Sequence, residues 1–215
     1  MNIWLLTLGV LVSGTMAIWF GYRQPQGKFY IFKPLTMILI ILIPVLNGEG
    51  FSLFKASILA GLLFSLLGDI LLMLPGDRFL AGLTAFLFAH VFYILGFGLD
   101  QGTPVLWPIL PVFGLAGLAG WILKDGIGKI KIPVYAYMGV ISVMAWLAWS
   151  RWLTGGQLDH LLAFCGAGLF MISDLILAVN RFKSEFKAAR VLDLLTYYIG
   201  QWLIALSVIG LDGLG

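Results

Sequence analysis

The sequence of 215 residues is too apolar for a domain that folds in water. Hydrophobic residues make up 61% of it and charged residues only 11%, which is far from the balance of a soluble protein. The net charge of +3 does not indicate a nucleic-acid partner, because the basic residues lie in short loops between apolar segments. We therefore expect an all-α integral membrane protein, whose backbone polar groups are satisfied within helices. The single cysteine, Cys165, excludes a disulfide within the chain.

Eight apolar segments are long enough to predict membrane-spanning helices. The first is interpreted as an uncleaved span, because no basic segment precedes it and no small-residue cleavage site follows it. In the second, we expect Pro34 to open the helix, where a proline loses no hydrogen bond. The predicted spans are residues 2–20, 30–47, 52–74, 79–98, 104–123, 132–150, 158–179 and 190–210.

The distribution of lysine and arginine predicts how the spans are oriented. Eleven of these residues follow spans 1, 3, 5 and 7, whereas Lys55 and Arg151 alone fall on the opposite face. Because cytoplasmic loops carry the excess of basic residues, we expect both termini to be extracytoplasmic, in a bacterial plasma membrane. The eleven residues are Arg23, Lys28, Lys33, Arg78, Lys124, Lys129, Lys131, Arg181, Lys183, Lys187 and Arg190.

The two halves of the sequence share a pattern that predicts an internal repeat. Asp69 in span 3 corresponds to Asp174 in span 7, and each is followed by an Arg-Phe step that begins at Arg78 or Arg181. A lysine closely followed by a proline also precedes or begins spans 2 and 6. Four helices per half is an even number, so both halves cross the membrane in the same direction, which makes two parallel four-helix repeats. The predicted halves are residues 1–100 and 104–212 of a single membrane domain, residues 1–215.

Asp69 and Asp174 are the strongest candidates for catalysis. Each lies within otherwise apolar sequence, and an acid inside a membrane span is most often functional. A structural role would need a buried cationic partner, and the apolar spans offer none except His90. We expect each acid about 7–8 Å inside the cytoplasmic boundary, facing one shared cavity that opens to the cytoplasmic leaflet. There, desolvation and mutual repulsion would leave the pair with a single proton.

Other polar residues are candidates for substrate binding, and each has a structural alternative. His90, near mid-membrane, is either part of the site or a hydrogen-bonded contact between helices. Tyr197, Tyr198 and Gln201 are candidates to line a polar pocket, although tyrosines near a span end often anchor the span at the interface.

The basic residues near the predicted cytoplasmic face also have two interpretations. Lys33, Arg78 and Arg181 set the topology, and they are also placed to hold a lipid phosphate. Asp193 is expected to pair with Arg190. Two histidines and one cysteine offer no metal-ligand spacing, and no nucleotide-binding motif is present, so we expect neither a metal nor a cofactor.

Short runs of residues, densest in spans 3, 4, 7 and 8, form a recognisable pattern. They are Leu66–Pro75, Arg78–Gly82, Ala89-His90, Ser173-Asp174 and Tyr197–Gln201, with Lys33-Pro34 in addition. Together they resemble the YhhN-like membrane protein family, which includes the animal lysoplasmalogenases. The resemblance extends through nearly the whole chain.

The resemblance implies a polytopic hydrolase that cleaves the vinyl ether bond of a lysoplasmalogen taken from the bilayer. The products would be a fatty aldehyde and glycerophosphocholine or glycerophosphoethanolamine, and the catalytic aspartates favoured for the family match Asp69 and Asp174. The chemistry suits two carboxyl groups. An enol ether hydrolyses by slow protonation at carbon, which needs a general acid, and a nearby carboxylate can stabilise the resulting oxocarbenium ion or activate water.

Two other functions fit parts of the pattern. A small-molecule or proton-coupled transporter also suits parallel repeats with buried acids, although transport sites favour the membrane midplane. An intramembrane aspartyl protease is disfavoured, because the glycine-aspartate motif of such proteases is incomplete and their Pro-Ala-Leu motif is absent. The oligomeric state is left open.

Overall fold

The computed structural model describes residues 2–23, 27–47, 50–99 and 102–209. These residues form eight α-helices and contain no β-strand, so the all-α class is confirmed. The predicted end of span 8 at residue 210, and the chain termini at residues 1 and 210–215, lie outside the described residues. The helices are α1 (Ile3–Gly21), α2 (Gly27–Asn47), α3 (Leu53–Met73), α4 (Phe79–Gly98), α5 (Ile109–Leu123), α6 (Lys131–Gly155), α7 (Leu158–Phe182) and α8 (Ala189–Leu206).

Six of these helices are long and apolar enough to cross a membrane, namely α1, α2, α3, α4, α6 and α7. The fifth helix has only 15 residues, or about 22 Å. The eighth carries Arg190, Asp193 and Gln201 within its 18 residues. The protein is therefore a helical membrane protein, and the membrane crossings of α5 and α8 stay predictions.

The second helix begins at Gly27, so the prediction that Pro34 opens it is wrong. Pro34 lies in the helix interior, directly after Lys33. An internal proline removes one backbone hydrogen bond, but membrane helices tolerate this where neighbouring helices hold the segment. Because α2 packs against α1, α3 and α8, Lys33 is a buried helical residue and not a loop residue.

The fifth helix is shorter than predicted, since it begins at Ile109 and not at residue 104. The preceding backbone is held by side chains of α6 instead. The Val105 N–H donates to Ser150 Oγ (2.9 Å), and the Val105 carbonyl accepts from Trp146 Nε1 (2.8 Å). These two bonds satisfy a non-helical segment that is held against the protein.

The seventh helix is longer than predicted and continues to Phe182, because no glycine or proline interrupts the residues after Asp174. Asp174 is therefore eight residues, about 12 Å, from the end of its helix. Asp69 is four residues, about 6 Å, from the end of α3 at Met73. The two acids thus lie at different depths from their helix ends, unlike the equal depth predicted from span lengths.

Glycines bring the helices of two hairpins, α3–α4 and α7–α8, into close contact. In the first hairpin, Gly61 lies against the Tyr93 ring. In the second, the backbones of Gly166 and Gly200 touch, and a Cβ at Gly166 would lie 2.7 Å from the Gly200 carbonyl oxygen. The helices also pack in corresponding pairs, because α4 contacts α6 as α8 contacts α2.

Replacing Gly166 by alanine is expected to destabilise the protein by about 1–3 kcal/mol, because the added methyl group overpacks the α7–α8 contact. Gly168→Ala is the matched control on the same helix, since among the described residues no atom outside the local helix backbone lies within 4 Å of its added Cβ. The control should be neutral or gain up to about 1 kcal/mol from helix propensity. Unfolding midpoints in detergent measure both variants, and equal midpoints would contradict the close contact.

Candidate active site

Asp69 is buried between helices and paired with a lysine. Its side chain is 2% exposed, and its Oδ1 atom lies 3.0 Å from Lys33 Nζ. The expectation that the spans offer Asp69 no cationic partner except His90 is therefore wrong. Lys33 reaches Asp69 because α2 extends N-terminally past Pro34 and packs beside α3. A buried carboxylate with such a partner is far less costly than an isolated one.

A second polar network lies one helical turn from Asp69 and joins α3, α4 and α8. Gln201 accepts a hydrogen bond from the Tyr93 hydroxyl (2.6 Å) and donates to Ser65 Oγ (3.3 Å). The Tyr197 hydroxyl donates to the Ser65 carbonyl (3.4 Å) and is close to the Asp69 carboxyl group. Gln201 and Tyr197 therefore brace the helix that carries Asp69.

Tyr198 lies on the other side of this network. Its ring packs against Gly14, and its buried hydroxyl lies beside Thr36, although no described residue forms a hydrogen bond of good geometry with it. The structure thus brings Tyr197, Tyr198 and Gln201 to the Asp69 side of the bundle.

Asp174 has a different set of neighbours, supplied by α6 and α4. The Tyr137 hydroxyl donates a hydrogen bond to Asp174 Oδ2, with the two oxygens 2.5 Å apart. His90 Nε2 lies 3.7 Å from the same oxygen, which is too long for a hydrogen bond. The His90 ring is fully buried and packs on Phe170 and Tyr137.

Asp193 in α8 connects the surroundings of the two predicted acids. Its carboxyl group accepts a hydrogen bond from Ser173 Oγ (2.7 Å), and Ser173 is the residue directly before Asp174. It is also close enough to Lys33, Asp69 and Asp174 for electrostatic interaction. Arg190 also interacts electrostatically with Asp193, but among the described residues the two form no ion pair within 4 Å, contrary to expectation, and the Arg190 guanidinium lies over the rings of Tyr22 and Phe29.

An apolar cavity of about 310 Å³ lies between α5, α6 and α7, with the start of α4 at one end. Asp174 is the only charged residue among the described residues that line it, and Tyr137 lies beside it. Asp69 does not line this cavity. The two acids therefore interact electrostatically, but the prediction that they face one shared cavity is wrong for this cavity, because only Asp174 lines it.

The arginines predicted to hold phosphate lie at one end of this cavity. Phe79 and Phe182 line that end, with their rings edge to face and their centroids 5.4 Å apart. Arg181 lies over Phe79 and forms an exposed ion pair with Asp77 (2.6 Å). Arg78 is exposed directly before Phe79.

Sequence reasoning missed two functional candidates, Tyr137 and Asp193. A signal for Asp193 was present, because Asp193, Tyr197 and Gln201 recur at intervals of four on α8 and so share one face. That face meets the Ser65 and Asp69 face of α3. Tyr137 carried no comparable signal, because a tyrosine in an apolar span is most often a packing or interface residue. Among the described residues, no three histidine, cysteine, aspartate or glutamate side chains are grouped to bind a metal.

Comparison with known proteins identifies similar sequences along most of the chain. A model of the YhhN family matches residues 28–208. The uncharacterized membrane protein YhhN of Escherichia coli O6:H1 is 30% identical over 202 residues, covering 94% of this chain and 97% of that protein.

Animal proteins that carry a functional name are similar as well. Human lysoplasmalogenase TMEM86A is 32% identical over 200 residues, covering 89% of this chain and 82% of that protein. Mouse lysoplasmalogenase TMEM86B is 32% identical over 216 residues, covering 98% of this chain and 88% of that protein. No solved structure matches the chain.

Proposed function

Because the chain belongs to the YhhN family, we propose that it is a membrane hydrolase that cleaves the vinyl ether bond of lysoplasmalogens. The products are a fatty aldehyde and glycerophosphocholine or glycerophosphoethanolamine. The names of the animal relatives support an ether hydrolase acting on this lipid class. These animal relatives are 32% identical to this chain, and the bacterial protein named as uncharacterized is 30% identical.

The observation that carries the proposal is a carboxyl group in the wall of an apolar cavity. Asp174 lines a space otherwise formed by aliphatic, aromatic and small side chains, with a volume in the range of small-molecule sites. An alkenyl chain would find apolar contacts there, and its vinyl ether carbon would meet an acid. A polar solute carried by a transporter would find few partners in this lining, so we rank transport second.

In the proposed mechanism, Asp174 donates its proton to the vinyl carbon that is not bonded to the ether oxygen, which is the slow step of enol ether hydrolysis. The resulting oxocarbenium ion is captured by water, whose proton returns to the Asp174 carboxylate. The hemiacetal then collapses to the aldehyde and the glycerol hydroxyl. Tyr137 orients the Asp174 carboxyl group through its hydrogen bond.

The surrounding charges support a protonated Asp174. Asp69, Asp174 and Asp193 lie near one another, whereas Lys33 acts on Asp69 and Asp193, and Arg190 acts on Asp193. Full ionisation would leave uncompensated negative charge inside the bundle, which is costly. We assign the retained proton to Asp174, because Lys33 pairs with Asp69. The ionised Asp69 and Asp193 then favour the cationic intermediate.

We also propose eight membrane crossings in two parallel repeats, with the site near the cytoplasmic leaflet of the plasma membrane and both termini extracytoplasmic. Corresponding helix contacts and matching glycine-packed hairpins support the repeat. The excess of basic residues supports the orientation, although Lys33 no longer counts as a loop residue.

The phosphate of the substrate is assigned to Arg78 and Arg181. Lys33 is held by Asp69 in a buried ion pair, whereas the Arg181–Asp77 pair is exposed and therefore weak enough to open for a phosphate. Arg78→Gln and Arg181→Gln are each expected to raise KM several-fold with little change in kcat, because a remote phosphate contact contributes binding and not chemistry. Arg23→Gln, an exposed arginine after α1, is the control. Steady-state kinetics test this, and an unchanged KM in both variants would restrict the two arginines to topology.

Tyr137→Phe is expected to lower kcat by up to about tenfold, because a hydrogen bond between neutral groups contributes about 0.5–1.5 kcal/mol and about 1.4 kcal/mol is tenfold in rate. The fold and KM should change little. Tyr135→Phe is the matched control on α6, since Tyr135 does not line the Asp174 cavity. If Tyr137→Phe kept wild-type kcat, the orienting role would be wrong.

The proposal is tested with purified protein and a synthetic lysoplasmalogen, by measuring aldehyde release beside an ester lysophospholipid. Hydrolysis of the vinyl ether alone, with aldehyde and glycerophosphodiester formed in equal amounts, is the expected result. Uptake of the lipid or of protons into liposomes without aldehyde would instead support the transporter.

A further inference from the structure

The cavity that contains Asp174 is a groove along one face of α7. Phe164, Gly168, Met171, Asp174, Ala178 and Phe182 all line it, at steps of three or four residues. Their spacing places them at successive levels of the same helix face. Asp174 is ten residues from Phe164, about 15 Å along the helix axis, and eight residues from Phe182, about 12 Å. The acid therefore divides the groove into two arms.

The two arms end at different kinds of side chain. The arm that leads away from the arginines ends at Trp149 and Phe164, whose rings pack 5.2 Å apart and line the groove. Trp107 and Trp152 pack behind them at 5.1 and 5.2 Å. The other arm ends at Phe79 and Phe182, with Arg78 and Arg181 beside it.

We propose that the arm between Asp174 and the Trp149–Phe164 rings binds the single alkenyl chain of the substrate and sets its preferred length, with the headgroup towards the arginines. This inference rests on the proposed function. The hydrocarbon half of a bilayer is about 15 Å thick, which equals the distance from the acid to the rings. The arm therefore accepts one membrane-length chain and stops a longer one against aromatic side chains.

Two positions control the length of this arm. Gly168 lies six residues from Asp174, about 9 Å. In the part of the chain that the structure describes, no atom outside the local helix backbone lies within 4 Å of a Cβ added there. A phenylalanine at Gly168 would fill the groove without displacing the backbone. Trp149 forms part of the end wall, so Trp149→Ala would lengthen the arm.

The test compares kcat/KM for octenyl, hexadecenyl and docosenyl lysoplasmalogens. Wild-type protein should prefer the hexadecenyl chain, and Gly168→Phe should shift the octenyl-to-hexadecenyl ratio by about tenfold or more, the scale on which pockets discriminate chain size. Trp149→Ala should gain activity on the docosenyl chain. Gly114→Phe is the control, because Gly114 is exposed on α5 and does not line the groove.

A binding experiment separates this inference from the proposed reaction. An ester lysophospholipid with a diazirine at the chain end should label residues around Trp149 and Phe164 in wild-type protein, and Gly168→Phe should abolish that label. Labelling there without any aldehyde release would overturn the activity and support the groove. Labelling near Phe79 and Phe182, no labelling, or an unchanged chain preference in an active Gly168→Phe variant would overturn the groove.

Discussion

Replacing Asp174 by asparagine is expected to lower kcat for vinyl ether hydrolysis by about 10²-fold or more, the usual contribution of a general acid. The amide keeps the shape of the side chain and its contact with Tyr137, but it has no acidic proton to transfer to carbon. Asp69→Asn should also lower kcat by about 10²-fold, because it removes negative charge that keeps the proton on Asp174 and stabilises the cation.

The two losses should not multiply. If both carboxyl groups maintain one protonated acid, the double variant should be little worse than the poorer single variant, as for residues that act as a unit. Both single variants should still fold. In Asp69→Asn, the Asp193 carboxyl group remains near Lys33. Single-turnover kinetics on monodisperse protein measure all three variants.

Asp125→Asn is the matched control for these substitutions, because Asp125 is an exposed residue after α5, away from the cavity lining. It should retain wild-type kcat. Near-normal hydrolysis by either site variant, or multiplicative losses in the double variant, would contradict a coupled pair.

Replacing Lys33 by methionine is expected to destabilise the folded protein by about 3–5 kcal/mol, because it leaves the Asp69 carboxylate buried without its cation. Lys33 is 8% exposed and Asp69 is 2% exposed, so water replaces the lost partner poorly. The unfolding midpoint in detergent, followed by intrinsic fluorescence, should fall accordingly.

Lys33→Met combined with Asp69→Asn should recover much of this loss, since the second change removes the unpaired charge. Lys131→Met is the control, because Lys131 precedes Pro133 in the second half as Lys33 precedes Pro34 in the first, but is exposed. It should change stability by less than about 0.5 kcal/mol, as is usual for surface positions. A Lys33→Met variant as stable as wild type would show that the ion pair does not hold α2 against α3.

Hydropathy was sufficient to predict the helices, because the apolar length of each segment is a local property. Hydropathy also marked Asp69 and Asp174 as candidate site residues, since an acid within an apolar segment can be recognised without knowledge of the fold. Helix ends were predicted less well. Pro34 suggested a start where α2 is already in its second turn, and α7 runs past its predicted end because nothing local stops it.

The ion-pair and hydrogen-bond partners of the two aspartates could not be predicted, because they depend on which helices pack together. From the sequence, Lys33 is interpreted as a cytoplasmic loop residue. The packing of α2 on α3 places it beside Asp69 instead. Tyr137 became part of the site only through the contact of α6 with α7. The cavity lies between α5, α6 and α7 beside Asp174, and no window of sequence encodes an unfilled volume between helices.

The central claim is that an acid in the protein protonates the enol carbon of a vinyl ether, and deuterium incorporation tests this most directly. Wild-type protein is allowed a single turnover of lysoplasmalogen in D₂O, and the aldehyde is reduced with borohydride at once to prevent exchange. The account predicts one deuterium at the carbon next to the former aldehyde, and loss of product formation in Asp174→Asn. An aldehyde without deuterium at that carbon, or equal product from Asp174→Asn, would contradict it.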